Sequence, residues 1–168
     1  MTDLIVHGDG WAEFAGRRCR CALGPAGLSA AKREGDGATP IGAFPCRMLY
    51  FRADRLAPPR TGLRRVALNP QDGWCDAPDD PYYNKPVTLP YPASHERLWL
   101  DSPVYDLIVP LGYNDDPAMP GLGSAIFLHL AKPGYAPTQG CVALALEDLL
   151  AFLAGADASS RVVIGVTE

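Results

Sequence analysis

A histidine and a cysteine stand 12 positions apart in the stretch His129-Leu-Ala-Lys-Pro-Gly-Tyr-Ala-Pro-Thr-Gln-Gly-Cys141. A thiol beside an imidazole is the minimum equipment for nucleophilic acyl transfer: sulfur attacks, and the ring accepts and returns the proton. An ordinary thiol titrates near pH 8.5, so a nearby imidazolium is one way to hold it as thiolate at neutral pH. Gly140 lacks a Cβ, which lets backbone approach a substrate closely. The N–H of Cys141, with that of Gly140 as a second donor, can form an oxyanion hole, each such donor being worth about 10²–10³ in rate. Buried cysteines more often act as small hydrophobes, and a histidine in an apolar run is often plain core. Pattern alone leaves both readings open.

Placing the two groups is the task of the flanking elements. An apolar run, Ala125 to Leu130, delivers the histidine, and a second, Val142 to Leu146, starts just past the cysteine. The Pro/Gly-rich segment between them reads as a turn-forming loop that folds the second strand back beside the first. Upstream, Leu4 to Val6, Trp11 to Phe14 and Arg18 to Leu23 read as a meander, with Cys19, Cys21 and Leu23 on one face by period-two spacing. A glycine-rich loop, Glu34 to Phe44, enters a strand expected over Phe44 to Phe51. Further strands are expected at Arg65 to Leu68, Val104 to Leu111 and Arg161 to Val166. Leu146, Leu149, Leu150 and Leu153 recur at helical spacing and predict one amphipathic helix ending at Gly155. Residues 69–94 carry too few periodic apolar positions for a regular element and read as an ordered loop or flap. The sum is a mainly β chain, a sandwich or partly closed barrel with one helix near the C-terminus, organised as one domain over residues 1–168.

Bulk properties narrow the function. The 168 residues, 48% hydrophobic and 20% charged, suit a soluble domain with a real core. A formal net charge of -4 offers no basic stripe for nucleic acid. The 17 glycines and 17 prolines argue for turns and short elements, against a helical bundle. No apolar stretch approaches the roughly 20 residues of a membrane helix. The N-terminus lacks the pattern of a signal peptide, so a cytoplasmic protein is expected; a leader lost from the N-terminus would mean the periplasm instead. The five cysteines are an odd number and are read as free thiols. Cys19-Arg-Cys21 lacks zinc-finger spacing, and no metal or other cofactor is expected.

With these residues in place, Phe127-Leu-His129, the loop, and Thr138-Gln-Gly-Cys-Val142 resemble the signature of the L,D-transpeptidase (YkuD-type) catalytic domain family. Gly35-Asp-Gly-Ala-Thr-Pro-Ile-Gly-Ala-Phe44 resembles a Thr-Pro-x-Gly-x-Phe stretch near the start of the same domain. The resemblance spans most of the chain. It departs at Gln139, where the family usually has a second histidine, at Ala143, where Arg or Asn commonly stands, and in a shorter His-to-Cys interval. It implies a cysteine acyl-transfer enzyme acting on murein stem peptides. Cys141 would attack the carbonyl of an L-centre, typically of diaminopimelate, and expel D-alanine protonated by His129. Water as acceptor makes an L,D-carboxypeptidase and an amine makes an L,D-transpeptidase; carbapenems are expected inhibitors. It also implies a histidine oriented by a carbonyl oxygen rather than by an acid. The departures leave a second reading, a catalytically silent domain that binds murein peptides.

Substrate-binding candidates are Thr138, Gln139 and Lys132 in the loop, and Tyr113 and Tyr83 in the tyrosine-rich loops, where Tyr82, Tyr83 and Asn84 can form a lid. Lys85 and Arg97 flank the central loop as further cations. Thr138 can alternatively stabilise its own turn. His95, in Ser94-His-Glu-Arg97, is a rival base in what reads as an exposed loop, and His7 reads as a strand-end residue.

Overall fold

The computed structural model describes residues 1–166. Its strands are β1 (Leu4–Val6), β2 (Trp11–Phe14), β3 (Arg17–Ala22), β4 (Leu28–Ser29), β5 (Thr39–Pro40), β6 (Gly42–Pro45), β7 (Leu49–Phe51), β8 (Arg65–Ala67), β9 (Asp72–Cys75), β10 (Pro86–Thr88), β11 (His95–Arg97), β12 (Leu107–Pro110), β13 (Phe127–Leu130), β14 (Val142–Leu144) and β15 (Arg161–Ile164). One α-helix, α1 (Leu146–Gly155), joins β14 to β15.

Ten strands form one sheet in the order β6-β15-β1-β2-β3-β14-β13-β12-β7-β8. The sheet curls until its far parts meet. Cys46, just past β6, bridges Leu111 just past β12, and the Gly112 N–H donates to the Pro45 carbonyl. The closure bends the chain at Cys46, so the strand expected over Phe44 to Phe51 is two strands, β6 and β7, on different parts of the sheet. The mainly β, partly closed architecture and the helix agree with the sequence reading.

Period-two alternation sorts the side chains. Leu128, Leu130, Val142, Leu144, Leu107 and Val109 point into the curl with Leu4, Val6, Val162 and Ile164, and Leu149, Phe152 and Leu153 of α1 pack with them. Leu146, expected on the buried stripe of the helix, is 42% exposed, and Phe152 takes part in the burial instead. The opposite face of the same strands carries Ile108, Phe127 and Cys141. All four residues of β13 are buried, the mark of a strand covered on both sides.

The cover on that second face comes from the segment read as a structureless loop. Residues 69–94 contain β9 and β10, which with β11 make a three-stranded antiparallel sheet in the order β10-β9-β11. Its apolar content is low because only one face is buried: Trp74 and Leu98 pack inward with Tyr105 and Phe127. His95 accordingly lies on a strand rather than in an exposed loop, partly buried, with Nδ1 2.8 Å from the Ala93 carbonyl oxygen. No helix among the described residues is long and apolar enough to cross a membrane.

Candidate active site

β13 and β14 are neighbours and run parallel, with Leu128 opposite Val142 and His129 opposite Ala143. The loop between them is therefore a short crossover, returning the chain to the start of β13. Extending the register sets Cys141 opposite Phe127, on the same face of the sheet as His129. The two Cα atoms stand one strand and two residues apart, about 8 Å by strand geometry. The sequence elements thus bring thiol and imidazole onto one surface, beneath the cap sheet.

Each group is held by backbone. The Cys141 thiol donates to the Ala125 carbonyl at 3.2 Å and accepts from the Phe127 N–H at 3.3 Å. The His129 Nδ1 lies 2.9 Å from the Leu130 carbonyl oxygen. A carbonyl can only accept, so Nδ1 carries the hydrogen and the neutral ring keeps its lone pair on Nε2. This is the carbonyl-oriented histidine that the resemblance implies. The ring of Tyr105, delivered by a 3-10 turn at Pro103–Tyr105, lies edge-on to His129 at 5.2 Å and to Phe127 at 5.9 Å.

The loop preceding the thiol is built from close approaches. Gly140 has φ +127°, and a Cβ there would meet the Ala38 carbonyl oxygen at 2.7 Å. Gly24 closes on the same spot: its Cβ would reach the Gly140 Cα at 3.1 Å and the Gly37 carbonyl oxygen at 2.2 Å. The glycine-rich segment around Gly37 and the Gly140-Cys141 turn, distant in sequence, are therefore packed together. Thr138 Oγ1 accepts from the Gly140 N–H at 3.1 Å and donates to the Cys141 carbonyl at 2.7 Å. Thr138 thus serves its own turn, and the Gly140 N–H is already engaged.

The other sequence candidates lie apart from this centre or are occupied. Lys132 and Gln139 are exposed on the crossover loop. Tyr83 is buried, its hydroxyl accepting from the Gly123 N–H at 3.0 Å and donating to Glu34 at 3.1 Å. The Tyr113 hydroxyl donates to the Leu122 carbonyl, and its ring packs on Phe44. Asn84 is buried as well: its side-chain oxygen accepts from the Trp74 indole N–H and from the Ala125 N–H, both at 3.0 Å. It ties the cap to the segment entering β13, whose Ala125 carbonyl accepts from the thiol, rather than serving in a lid with Tyr83. Tyr82 alone of that trio is exposed.

Three side chains escaped sequence reasoning. Lys32 is buried behind Gly140, with Nζ 2.6 Å from Asp36, and a Gly140 Cβ would lie 3.6 Å from its Cε. Glu96 projects from β11 on the cap's inner face, opposite Trp74 in register, and accepts from the Tyr105 hydroxyl. Tyr105 joins Glu96 to the His129 ring. The alternation of Glu96, Leu98 and Leu100 was the available signal, since it places the glutamate on the face of two leucines. Nothing in the sequence marks Lys32 beyond its nearness to the glycine-rich loop. Among the described residues no group of three His, Cys, Asp or Glu side chains converges as a metal site requires.

The closed site is electrically quiet. Burial pushes the Cys141 thiol up to about 12, and the Glu96 charge adds to this; the Phe127 N–H and the Lys32 charge oppose it. Burial pushes His129 down to about 4, against the pull of the Leu130 carbonyl and with a small contribution from Lys132. At neutral pH this makes a neutral thiol and a neutral imidazole rather than an ion pair. Burial also raises Glu96 to about 7, helped by Asp76 and Glu34 and opposed by the Tyr105 hydroxyl. A cavity of about 230 Å³ runs beside the cap, lined by Trp74, Asn84, Lys85 and Arg47 among others, without touching His129 or Cys141.

No curated protein and no solved structure matches the chain. The family model YkuD, described as the L,D-transpeptidase catalytic domain, matches residues 5–164. That span holds the curled sheet, the cap, the crossover loop and the Gly37–Gly140 packing, and the chain belongs to the L,D-transpeptidase catalytic domain family.

Proposed function

We propose that the protein is a cysteine acyl-transfer enzyme of murein stem peptides that cleaves the bond between an L-centre, typically of diaminopimelate, and a terminal D-alanine. The observation that carries this is the common face shared by Cys141 and a His129 whose Nδ1–H is fixed by the Leu130 carbonyl. On substrate entry the thiol proton passes to His129 Nε2 as sulfur attacks the carbonyl carbon. The tetrahedral oxyanion is held by the Cys141 N–H, the Gly140 N–H being engaged by Thr138. The C–N bond breaks, the imidazolium protonates the departing D-alanine amine, and a thioester remains. Water then attacks the thioester, gives its proton to His129, and the acid leaves as the thiol is restored. Lys32, behind the turn, supplies positive charge that favours the thiolate. Thr138 acts as a positioning residue for this turn. Gln139 and Lys132, on its rim, are the residues placed to meet substrate carboxylates and amides.

Cys141 is 6% and His129 5% exposed, so a peptide reaches them only when the cap sheet moves. All five cysteines are free thiols, which supports a reducing compartment. The proposed setting is therefore cytoplasmic, the donors are recycled or precursor muropeptides, and water is the main acceptor. Incubation with disaccharide tetrapeptide, with and without an added D-amino acid, tests this. D-Alanine release with tripeptide product is expected, and exchange of the D-amino acid would make transpeptidation the better name. No D-alanine release in either case would overturn both versions.

A second reading, a silent domain that binds murein peptides, is favoured by one observation: the thiol's hydrogen bonds go to Ala125 and Phe127, not to the imidazole. Carbapenem separates the two readings. An acyl adduct on the wild type that is absent from Cys141→Ala supports the enzyme, and no adduct on either supports the binding domain.

A further inference from the structure

Glu96 is an odd residue for the inner face of a cap. Its strand partner Trp74 packs edge-on against Phe127 at 5.0 Å. One carboxyl oxygen, Oε1, takes the Tyr105 hydroxyl, and Tyr105 rests on His129. The charge of Glu96 is felt at Cys141, where a negative charge works against the thiolate that attack requires. The charged groups around Glu96 are themselves acidic, Asp76 and Glu34, and no Lys, Arg or His pairs with it among the described residues. The two neighbours already accept hydrogen bonds from hydroxyls, Glu34 from Ser124 and Tyr83, and Asp76 from Ser94, and they keep their charge. Oε2 of Glu96 accepts no hydrogen bond from the protein among the described residues, and it is open to solvent. A partly buried carboxyl without a counter-ion is destabilising as structure. It is accounted for by a cation that arrives with the substrate.

We propose that Glu96 is the subsite for an ammonium group carried by the substrate next to the scissile bond. The inference rests on the stem-peptide reading and deepens it. The attacked carbonyl belongs to the stem's third residue, so the side chain nearest to the thiol in the complex is that residue's own. Stems whose third residue carries a free side-chain amine, as diaminopimelate and lysine do, are therefore selected over stems in which that amine is acylated. The docked ammonium also cancels the charge that opposes the thiolate, so the nucleophile ionises with its substrate in place. Lys32 does not compete for Glu96, since its Nζ is bound to Asp36 and the Arg33 carbonyl.

The test measures binding of the tripeptide L-Ala-γ-D-Glu-meso-diaminopimelate, and of the same tripeptide with its side-chain amine acetylated, by calorimetry. Wild type is expected to prefer the free amine by about tenfold in Kd, a modest ion-pair increment. Glu96→Gln is expected to lose the preference, and Glu96→Asp to keep most of it. A pH series of iodoacetamide labelling, mapped to Cys141, separates charge from a loosened cap: Glu96→Asp keeps the charge and should leave the profile in place, whereas a loosened cap would shift it in both variants. Glu96→Gln should bring labelling to lower pH, while Tyr105, Asp76, Glu34 and Lys32 are unchanged. Equal binding of both peptides by wild type, binding of neither, or an undiminished preference in Glu96→Gln would overturn the inference. D-Alanine release from the tetrapeptide is scored separately. Release without amine preference removes this subsite and leaves the reaction; amine preference without release supports the subsite and removes the reaction.

Discussion

At the scale of single residues, the chemistry lies in how few groups are left free. His129 has one nitrogen fixed by the Leu130 carbonyl and the other holding a lone pair, so it needs no acid to orient it. Replacing it with Ala should lower turnover by about 10²–10⁴, the usual worth of a positioned acid–base group. His95→Ala should have little effect on the same D-alanine assay; the reverse ranking would reassign the base. Glu96 makes a second prediction at this scale. Its folded-state pKa is raised above the ordinary 4.5 to about 7, so the folded state binds more protons than the unfolded state between those values. Its contribution to stability is fully present below about pH 4.5 and is lost as pH rises through about 7. Thermal melts should therefore show wild type losing ground to Glu96→Gln between pH 5 and pH 8. A constant gap across that range would deny the buried ionisation. That Cys141 and His129 share one face, with Gly140 just before the thiol, could be anticipated from residue type, spacing and the family resemblance together; the catalytic role given to them is a proposal. Glu96 and Lys32 are not legible in the sequence, since what distinguishes them is burial, which only the assembled fold supplies.

At the scale of elements, the helix and most strands can be read from periodicity, because each has one face against the main core. The cap sheet escaped that reading: β9, β10 and β11 are three or four residues long and are specified by their pairing and by a few inward anchors, Trp74 and Leu98 among them. Trp74→Ala should cost about 3–5 kcal/mol, as large aromatic truncations do. It should also speed iodoacetamide labelling of Cys141 at fixed pH, because the cap it anchors covers the thiol. Lost stability with unchanged labelling would show that the cap is not the barrier. The turn before Cys141 is equally exacting. Gly140→Ala adds a Cβ 2.7 Å from the Ala38 carbonyl in a left-handed conformation, and about 1–3 kcal/mol of strain should appear in urea unfolding. The sequence reading folds the second strand back beside the first, as a hairpin would, whereas β13 and β14 run parallel and the loop is a crossover. Two apolar runs joined by a turn-rich segment specify adjacency without specifying direction.

At the scale of the whole molecule, one curled sheet serves two cores. Its concave face builds the stable body with α1, and its other face carries the candidate site beneath a small sheet. The resemblance to the family was visible at two places, Gly35 to Phe44 and Phe127 to Val142. The fold explains why both are needed, since the glycine-rich segment packs directly behind Gly140. The departures at Gln139 and Ala143 fall at different depths, one exposed on the rim and the other buried in β14. Neither removes the thiol, the imidazole or the glycine. The central claim is therefore an acyl group on one sulfur. Disaccharide tetrapeptide incubated with wild type and quenched in acid should give a protein mass increased by the disaccharide-tripeptide acyl group, mapped to Cys141, together with free D-alanine. Cys141→Ala should give neither. D-Alanine release that persists in Cys141→Ala, or a wild type that forms no adduct and releases none, would contradict it.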